Sequence, residues 1–557
     1  MEGLFVKKKI VSLVLALALM SSAFVGCGNN TAVSSAAQGT GSTADTSEKS
    51  LSVSLGAEPA TMDPALNQAA DVTTVMNHLF EGLTRYSSDH KIVNAQAKEI
   101  KKSDDHKTYT ITLRDDIKWS DGKPVTAGDF EYAWKRAVDP KTASQYVYIF
   151  DPVLNANEIA AGKMDKDKLG VKATDDKTLV VTLRAPCAYF DELLSFTAYF
   201  PLRKDIVEGN DKWTQDSKTY ISNGAFKMKD WSHKESITVE KNPNYYDKDK
   251  VKLDTLKFVL LEDDAPRLAA YQNDEISFCY TIPIEEIASW KDKPDFKNLA
   301  DLSTNYVTFN CQKKPFDDVR VRKALSLAID RNYIAEKVTK KAQTPAGAFV
   351  PIGLQDVDST KTFRDVGGDY ISVKAEDYEK NVAEAKKLLA EAGYPDGKGF
   401  PTIEYATNPA SMNNALAEAL QNMWKTELGV NATISQQEWS VFIDSRNKGN
   451  YQLARDGFGV DFNDAVSMLD LFVTGGGNNN CKYSNPEYDK LIAQVKATDD
   501  NKVRMPLLHK AEEILMRDMP VAPTTYRTRI VLLNPKVKGY YQSPMGFDYF
   551  MYATVEG

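Results

Sequence analysis

The sequence predicts an α/β fold in which sheets and helices form layers. Four runs alternate apolar and polar residues as half-buried strands do: Leu51–Leu55, Tyr109–Leu113, Leu179–Leu183 and Ile237–Glu240. Three stretches carry apolar residues at helical spacing: Asp317–Val338, Asn381–Ala392 and Asn413–Leu428. Because strands and helices alternate along the chain, α/β layers are the expected architecture.

The helical pattern is clearest in Asp317–Val338, where Val321, Leu325, Ala328 and Ile329 share one face. Turns are predicted where Gly and Pro interrupt the patterns: Asp121–Pro124, Asn242–Asn244, Tyr394–Gly397 and Thr474–Gly477. With 557 residues, of which 42% are hydrophobic, the chain can fill two or three cores at roughly 100–200 residues per domain.

The N-terminus has the pattern of a lipoprotein export signal over residues 1–26. Lys7–Lys9 precede an apolar run, Ile10–Met20, and a small residue precedes Cys27. Secretion machinery recognises this order of basic, apolar and small residues, and the Cys27 thiol is then the predicted site of lipidation. A permanent transmembrane helix is the alternative, because Ile10–Gly28 is uncharged, but that stretch barely reaches the roughly 20 residues that a span needs.

Residues 27–50 are the predicted lipidated cysteine and flexible tether. Asn29–Lys49 consists mostly of Ser, Thr, Ala, Gly and Asn, with Val33 as its large apolar residue. A chain of this composition and length behaves as a random coil with a reach of roughly 25 Å. We therefore expect a folded body, beginning near Leu51, that is held by lipid on the cell membrane and faces away from the cytoplasm.

The charge balance argues against nucleic acid as a partner. The whole chain carries a formal net charge of −8, and residues 1–26 contain three lysines and one glutamate, so the chain without them stands at −10. Nucleic-acid-binding proteins need a basic surface to neutralise phosphates. No such excess of positive charge is present.

A search for catalytic and metal-binding motifs is negative. The sequence has no HExxH, GxSxG or Walker-type glycine-rich loop. Its five histidines never occur at i, i+4 spacing with a carboxylate ligand, and Cys187, Cys279, Cys311 and Cys481 form no CxxC pair. We interpret these cysteines as mostly buried single thiols, expect no metal or cofactor, and favour binding over catalysis.

Several phrases of the sequence together indicate a family. They are Glu58–Pro64, Leu79–Thr84, Lys118–Ala127, Asn223–Lys227, Lys241–Tyr245, Pro315–Leu325, Leu388–Pro395 and Tyr483–Asp489. In this order the chain resembles the extracytoplasmic oligopeptide-binding proteins of ABC importers, bacterial solute-binding protein family 5. The resemblance covers nearly all of the chain that follows the export signal.

The resemblance implies a two-lobed, periplasmic-binding-protein-like α/β fold with an extra inserted domain and a hinge between the lobes. Domain I would comprise 51–73, 207–302 and 528–557, domain II would be the inserted segment 74–206, and domain III would be 303–527. Two strands, near Leu302–Asn310 and Thr524–Leu532, would cross between the lobes. The ligand would lie between the lobes, which close around it by bending at a few crossing residues.

The resemblance also implies where the ends of a peptide would bind. Asp461 would hold the α-ammonium group of the peptide; its alternative role is to cap a turn in a glycine-rich loop. Arg455 and Arg446 would meet the peptide carboxylate through the planar, always-charged guanidinium. Their alternative role is a surface ion pair with Asp444 or Asp456.

Further peptide contacts are expected from Phe458, Gly457, Glu58 and Ala60. Phe458 would supply an aromatic wall near the first peptide residues, and Glu58 and Ala60 would run beside the peptide backbone. An extended peptide can pair with the protein as an added strand. Side chains of many kinds would then enter hydrated pockets in which water supplies the hydrogen bonds.

The predicted function is capture of oligopeptides and delivery to the membrane permease subunits of an ABC importer by a monomeric, lipid-anchored binding protein. The fold alone cannot name the ligand. A dipeptide, nickel chelate, haem or oligosaccharide receptor and a peptide-pheromone receptor are alternatives. An anchored peptidase is the most distant one, and it would be revealed by turnover of the bound peptide.

Overall fold

The computed structural model describes residues 49–340, 342–358 and 360–556. The predicted export signal, Cys27 and nearly all of the tether lie outside the described residues. Among the described helices, none is both long enough and apolar enough to cross a membrane.

The strands of the described chain range from two to fourteen residues. They are β1 (Ser50–Leu55), β2 (Thr84–Tyr86), β3 (Ile92–Asn94), β4 (Ala97–Lys102), β5 (Thr108–Leu113), β6 (Val171–Asp175), β7 (Thr178–Thr182), β8 (Phe226–Ser232), β9 (Ser236–Lys241), β10 (Thr255–Leu260), β11 (Phe278–Cys279), β12 (Phe296–Phe309), β13 (Thr344–Pro345), β14 (Ile403–Thr407), β15 (Ala432–Gln436), β16 (Leu453–Gly459), β17 (Val521–Leu533), β18 (Val537–Lys538), β19 (Tyr541–Gln542), β20 (Asp548–Tyr549) and β21 (Thr554–Val555).

The α-helices alternate with these strands. They are α1 (Ala70–Leu79), α2 (Ala127–Val138), α3 (Ala156–Ala160), α4 (Phe190–Leu193), α5 (Lys204–Val207), α6 (Asp264–Gln272), α7 (Ile287–Trp290), α8 (Val319–Leu327), α9 (Arg331–Tyr333), α10 (Phe363–Gly367), α11 (Tyr378–Glu391), α12 (Ser411–Leu428), α13 (Trp439–Lys448), α14 (Val466–Leu469), α15 (Pro486–Val495) and α16 (Asn501–Asp518).

The four strand predictions are confirmed as β1, β5, β7 and β9. Burial alternates along β5 and β7 as the apolar and polar residues do. Helices α11 and α12 confirm two of the helix predictions. The third stretch, Asp317–Val338, is divided into α8, α9 and a π-helical turn at Ile334–Val338. The break occurs at Asp330, whose side chain accepts a hydrogen bond from the Tyr333 N–H (2.9 Å) and so begins a new helix.

Three larger sheets organise the strands. One has the order β1-β10-β9-β8, with β1 and β10 parallel, and a second, antiparallel sheet has the order β4-β5-β7-β6. The third has seven strands, in the order β11-β17-β12-β16-β14-β15 with β13 paired to β17. Its longest strands, β12 and β17, are antiparallel neighbours.

The ladder between β12 and β17 is interrupted twice. Ala300 pairs with Thr528 and Thr304 with Tyr526, so β12 carries extra residues at that point, and the register shifts again between Asn305 and Tyr306. Extra residues in one strand of a pair leave backbone groups unpaired, bend the strand and redirect its side chains. Asp301 and Ser303 lie in the first of these irregular segments.

The buried apolar residues form separate clusters. The largest draws on residues 51–278 and 531–553, whereas two others draw on residues 302–522. Strand β17 contributes to both groups, because Val521 belongs to one of the latter clusters and Val531 to the first. The domain boundaries expected from the sequence stay a prediction.

One buried polar cluster accounts for three of the sequence phrases. The Glu81 carboxylate accepts hydrogen bonds from Tyr245 Oη (2.7 Å) and Gln96 Nε2 (2.9 Å) and pairs with Arg85 (3.3 Å). The Asn223 amide donates to the Glu81 carbonyl (2.9 Å) and accepts from its N–H (3.1 Å). A buried carboxylate requires several such partners, so a structural role around Glu81 explains these three motifs.

Candidate functional site

A cavity of about 830 Å³ opens between the segments that build the different apolar clusters. Its size lies within the roughly 300–1,000 Å³ typical of ligand sites. The lining residues come from segments far apart in the chain: 67–73, 146, 196–197, 264–287, 301–303, 342–343, 410–412, 459–461, 527–530 and 542–547.

Asp461 lies in this cavity, two residues after the end of β16. Its backbone N–H donates to Ser467 Oγ (2.9 Å), which fixes the turn. Tyr148, 313 residues earlier in the chain, donates its hydroxyl hydrogen to Asp461 Oδ2 (2.7 Å). Burial raises the pKa of Asp461 to about 6, although the hydrogen bond from Tyr148 acts to lower it.

Asp461 differs from the other carboxylates that line the cavity. Asp264 binds Arg267 (2.6 Å), Asp301 faces Arg527 (3.6 Å), and Glu285 is exposed to solvent. Asp461 is instead half-buried and, within the described residues, has only the neutral Tyr148 as a side-chain partner. A carboxylate that is partly removed from water and has no cation beside it is stabilised by accepting one.

Contacts around Asp461 join the segment after β16 to residues 86–192. The rings of Tyr189 and Phe462 stack with centroids 4.2 Å apart. Glu192 accepts hydrogen bonds from the Asn463 N–H (2.6 Å) and from Tyr86 Oη (3.0 Å). Burial raises the pKa of Glu192 to about 7. Asp461 is therefore held at a junction between parts of the chain that contribute to different cores.

Arg446 is paired within the protein. Its guanidinium hydrogen-bonds to the Asp456 carboxylate, and Asp456 is almost fully buried. Asp456 is one of the two partners that the sequence suggested for a surface ion pair, but the pair is buried. Arg446 does not line the large cavity. Its contact with a peptide carboxylate stays a prediction.

Arg455 lines a second, smaller cavity of about 180 Å³. Its guanidinium donates to Asn408 Oδ1 (3.2 Å), and among the described residues it forms no ion pair with a carboxylate. Burial lowers the pKa of Arg455, as expected for a cation that is poorly compensated. The second cavity shares Gln343, Met412 and Arg527 with the large one, so the two adjoin.

Four other predicted contact residues lie outside the lining of both cavities. Gly457 and Phe458 belong to β16, where Phe458 packs against one of the apolar clusters. Glu58 binds His233 Nδ1 (2.6 Å) and the Lys234 N–H (2.8 Å), and Ala60 is exposed. Their contacts with a peptide backbone also stay predictions.

The sequence did not indicate Tyr148, Asp301 or Arg527 as site residues. Each is an ordinary polar residue in its local sequence and reaches the site only through tertiary contacts. No glycine or proline marks the first register shift between β12 and β17, but the second lies at Pro523, which has no N–H to donate to the ladder and is a sequence signal for irregular pairing. Within the described residues, no group of three or more His, Cys, Asp and Glu side chains is arranged to hold a metal ion.

Residues 91–480 match the sequence model of the bacterial extracellular solute-binding proteins, family 5 Middle. The chain belongs to this family. It is 37% identical to the dipeptide-binding protein DppE and 37% identical to the oligopeptide-binding protein OppA, both of Bacillus subtilis, with 97% of this chain and 98% of each relative aligned. These matches confirm the resemblance found in the sequence.

The solved structure of Haemophilus influenzae OppA in complex with the peptide RPPGFSPFR superposes with a TM-score of 0.79 at 33% identity. The match covers 92% of this chain and 99% of that one. The periplasmic-binding-protein-like α/β fold expected from the sequence is thus confirmed. As a member of this family the chain is a solute-binding protein and is not an enzyme.

Proposed function

We propose that this protein captures oligopeptides in the 830 Å³ cavity and delivers them to the membrane subunits of an ABC peptide importer. The observation that carries the proposal is Asp461, a half-buried carboxylate that lines the cavity and has no cationic partner among the described residues. Every unmodified peptide has an α-ammonium group, so this carboxylate would bind peptides irrespective of their side chains. Relatives named as oligopeptide-binding and dipeptide-binding proteins support the same ligand class.

The cavity volume favours peptides of several residues over dipeptides. At about 830 Å³ it lies toward the upper end of the range for ligand sites. The adjoining cavity of about 180 Å³ extends the available space to Arg455. We assign the peptide carboxylate to Arg455, because its buried guanidinium lacks a carboxylate partner in the described chain.

The remaining parts of the proposal follow the sequence predictions. Cys27 carries the lipid, residues 28–50 tether the folded body, and the protein acts as a monomer whose surface is free to dock onto the permease. Domains I, II and III have the boundaries given above, and the lobes close over the peptide by bending of β12 and β17. Strand β17 contributes residues to separate apolar clusters, which supports its assignment as a strand that crosses between the lobes.

The proposal is tested with pooled peptides of three to six residues, offered to the purified protein with free and with acetylated N-termini. Thermal unfolding and calorimetric titration measure binding. A ligand at one hundred times its dissociation constant adds about 2.7 kcal/mol to the free energy of unfolding. We expect stabilisation by the free peptides and little by the acetylated ones.

An equal response to both peptide forms would contradict the assignment of Asp461 to the ammonium group. No response to any peptide would contradict the ligand class, and nickel chelates, haem and oligosaccharides would be tested next. Hydrolysis of the peptide during the titration would contradict a purely binding role.

A further inference from the structure

Two of the four described cysteines, 170 positions apart in the sequence, lie side by side. Cys311 follows the end of β12, and Cys481 follows the glycine-rich loop that begins at Thr474. The Cys311 N–H donates to the Cys481 carbonyl oxygen (2.9 Å). The two thiols are near enough for each to influence the pKa of the other, lowering that of Cys311 and raising that of Cys481.

The spacing of these residues suits a covalent bond. The 2.9 Å hydrogen bond from the Cys311 N–H to the Cys481 carbonyl brings the two backbones into direct contact, although both residues lie in turns and not in paired strands. A disulfide spans Cα separations of roughly 4.4–6.8 Å, so residues joined in this way are near enough for one. Both side chains would rotate to bring the sulfurs to bonding distance.

The surroundings hold both residues in place. The Asn310 amide donates to the Gly449 carbonyl (2.9 Å), which anchors the end of β12. On the other side, Asn479 donates to the Tyr483 carbonyl (2.8 Å), and its Oδ1 accepts from the Tyr483 N–H (3.0 Å) and from the Cys481 thiol (3.2 Å). The Cys481 thiol thus donates to Asn479 Oδ1, and the Cys311 thiol donates to the Phe309 carbonyl oxygen (3.8 Å).

Cys311 has the properties of the attacking thiol. It is partly exposed, whereas Cys481 is buried. The neighbouring Cys481 thiol lowers the pKa of Cys311, and the nearby Arg322 guanidinium acts in the same direction. Cys187 and Cys279 differ, because burial raises the pKa of each to about 12.

We propose that Cys311 and Cys481 form a redox site that closes to an intramolecular disulfide in the extracytoplasmic environment. The oxidant is a small-molecule or protein disulfide. The Cys311 thiolate attacks one of its sulfurs and releases the other as a thiolate. The Cys481 thiol then loses its proton and attacks Cys311 Sγ in the mixed disulfide, which releases the second thiolate, so two protein thiols are oxidised and one disulfide is reduced to two thiols.

Closure of the site would tie the glycine-rich loop to the end of β12. The bond would close a loop of 170 residues, and constraint of the unfolded chain increases with loop length. Proteins that work outside the cytoplasm meet conditions under which such bonds persist. The oxidised protein should therefore be more resistant to heat than the reduced protein.

The test begins with the wild-type protein. It is treated with oxidised glutathione without denaturant, its remaining thiols are alkylated, and its peptides are mapped by mass spectrometry without reduction. The expected product is a linked pair of peptides containing Cys311 and Cys481, with Cys187 and Cys279 alkylated only after unfolding. Since the mapping uses the wild-type chain, it does not depend on the folding of any variant.

Thermal unfolding with and without dithiothreitol then measures the consequence. We expect the oxidised wild type to unfold about 2–5 °C above the reduced form. The variants C311S and C481S should show no such difference, whereas C279S should behave as the wild type. Free Cys311 and Cys481 thiols after treatment, or linkage to another cysteine, would overturn the proposal, and a linked pair with an unchanged Tm would overturn its stabilising role.

Discussion

Replacement of Asp461 by asparagine should weaken peptide binding about 10- to 150-fold. Asparagine keeps the shape of the side chain and an oxygen that can accept the hydrogen bond from Tyr148, so the change removes mainly the charge. A hydrogen bond to a charged group contributes about 1.5–3 kcal/mol, and each 1.36 kcal/mol corresponds to a factor of ten. The raised pKa of Asp461, about 6, indicates an energy of similar size. Its displacement from the ordinary value of 3.8 corresponds to about 3 kcal/mol that disfavours the charged carboxylate, chiefly through desolvation, and a bound cation can offset this cost.

The assay is calorimetric titration of one peptide, with a free or an acetylated N-terminus, into the wild type and the variant. If Asp461 binds the ammonium group, acetylation should weaken binding to the wild type and change binding to D461N little. The matched control is E285Q, which neutralises an exposed carboxylate on the same cavity. Equal losses on acetylation in wild type and D461N would refute the reasoning, because the two changes would then act independently.

Three further predictions concern pH and the two arginines. Peptide affinity should fall as the pH decreases through about 6, by up to tenfold per pH unit, because Asp461 must lose its proton to hold the ammonium group. Titrations at pH 5, 6 and 7 measure this decrease, which should be absent in D461N. Replacement of Arg446 by glutamine should destabilise the protein by about 3–5 kcal/mol, since it leaves the buried Asp456 carboxylate uncompensated; denaturant unfolding measures the loss, and an unchanged midpoint would contradict a structural role for the pair. Replacement of Arg455 by glutamine should weaken binding of peptides with a free C-terminal carboxylate about tenfold or more and leave the binding of C-terminally amidated peptides unaffected. Equal effects on both peptide forms would show that Arg455 does not bind the peptide carboxylate.

Local sequence patterns were sufficient for much of the fold. The strands β1, β5, β7 and β9 follow from alternation of apolar and polar residues, because this pattern reflects burial of one sheet face. The break near Asp330 was missed because the apolar face of Asp317–Val338 continues across it. A capping side chain decided the local structure there, and periodicity does not detect it.

The candidate site was harder to predict than the fold. Asp461 was indicated by the family resemblance, but its contact with Tyr148 spans 313 residues and has no local signature. Arg446 pairs with Asp456, which the sequence suggested as a partner in a surface ion pair, but the burial of this pair arises from tertiary packing and has no local signature. All four described cysteines are free thiols and three are buried, as expected from the sequence, but the adjacency of Cys311 and Cys481 was not predicted, because it is created by the approach of the chain after β12 to a distant loop.

The interrupted ladder between β12 and β17 lies beside the cavity, where Asp301, Ser303 and Arg527 are both lining residues and members of the irregular segment. A strand pair is bent and less regularly hydrogen-bonded where its register shifts, and here both shifts lie beside the two adjoining cavities. A peptide that contacts these side chains would thus act directly on the irregular part of the β12–β17 pair. Binding of a peptide would then change the bend of β12 and β17 without a chain of intermediate contacts. The surface that the protein presents to a transporter would therefore differ between the empty and the filled state.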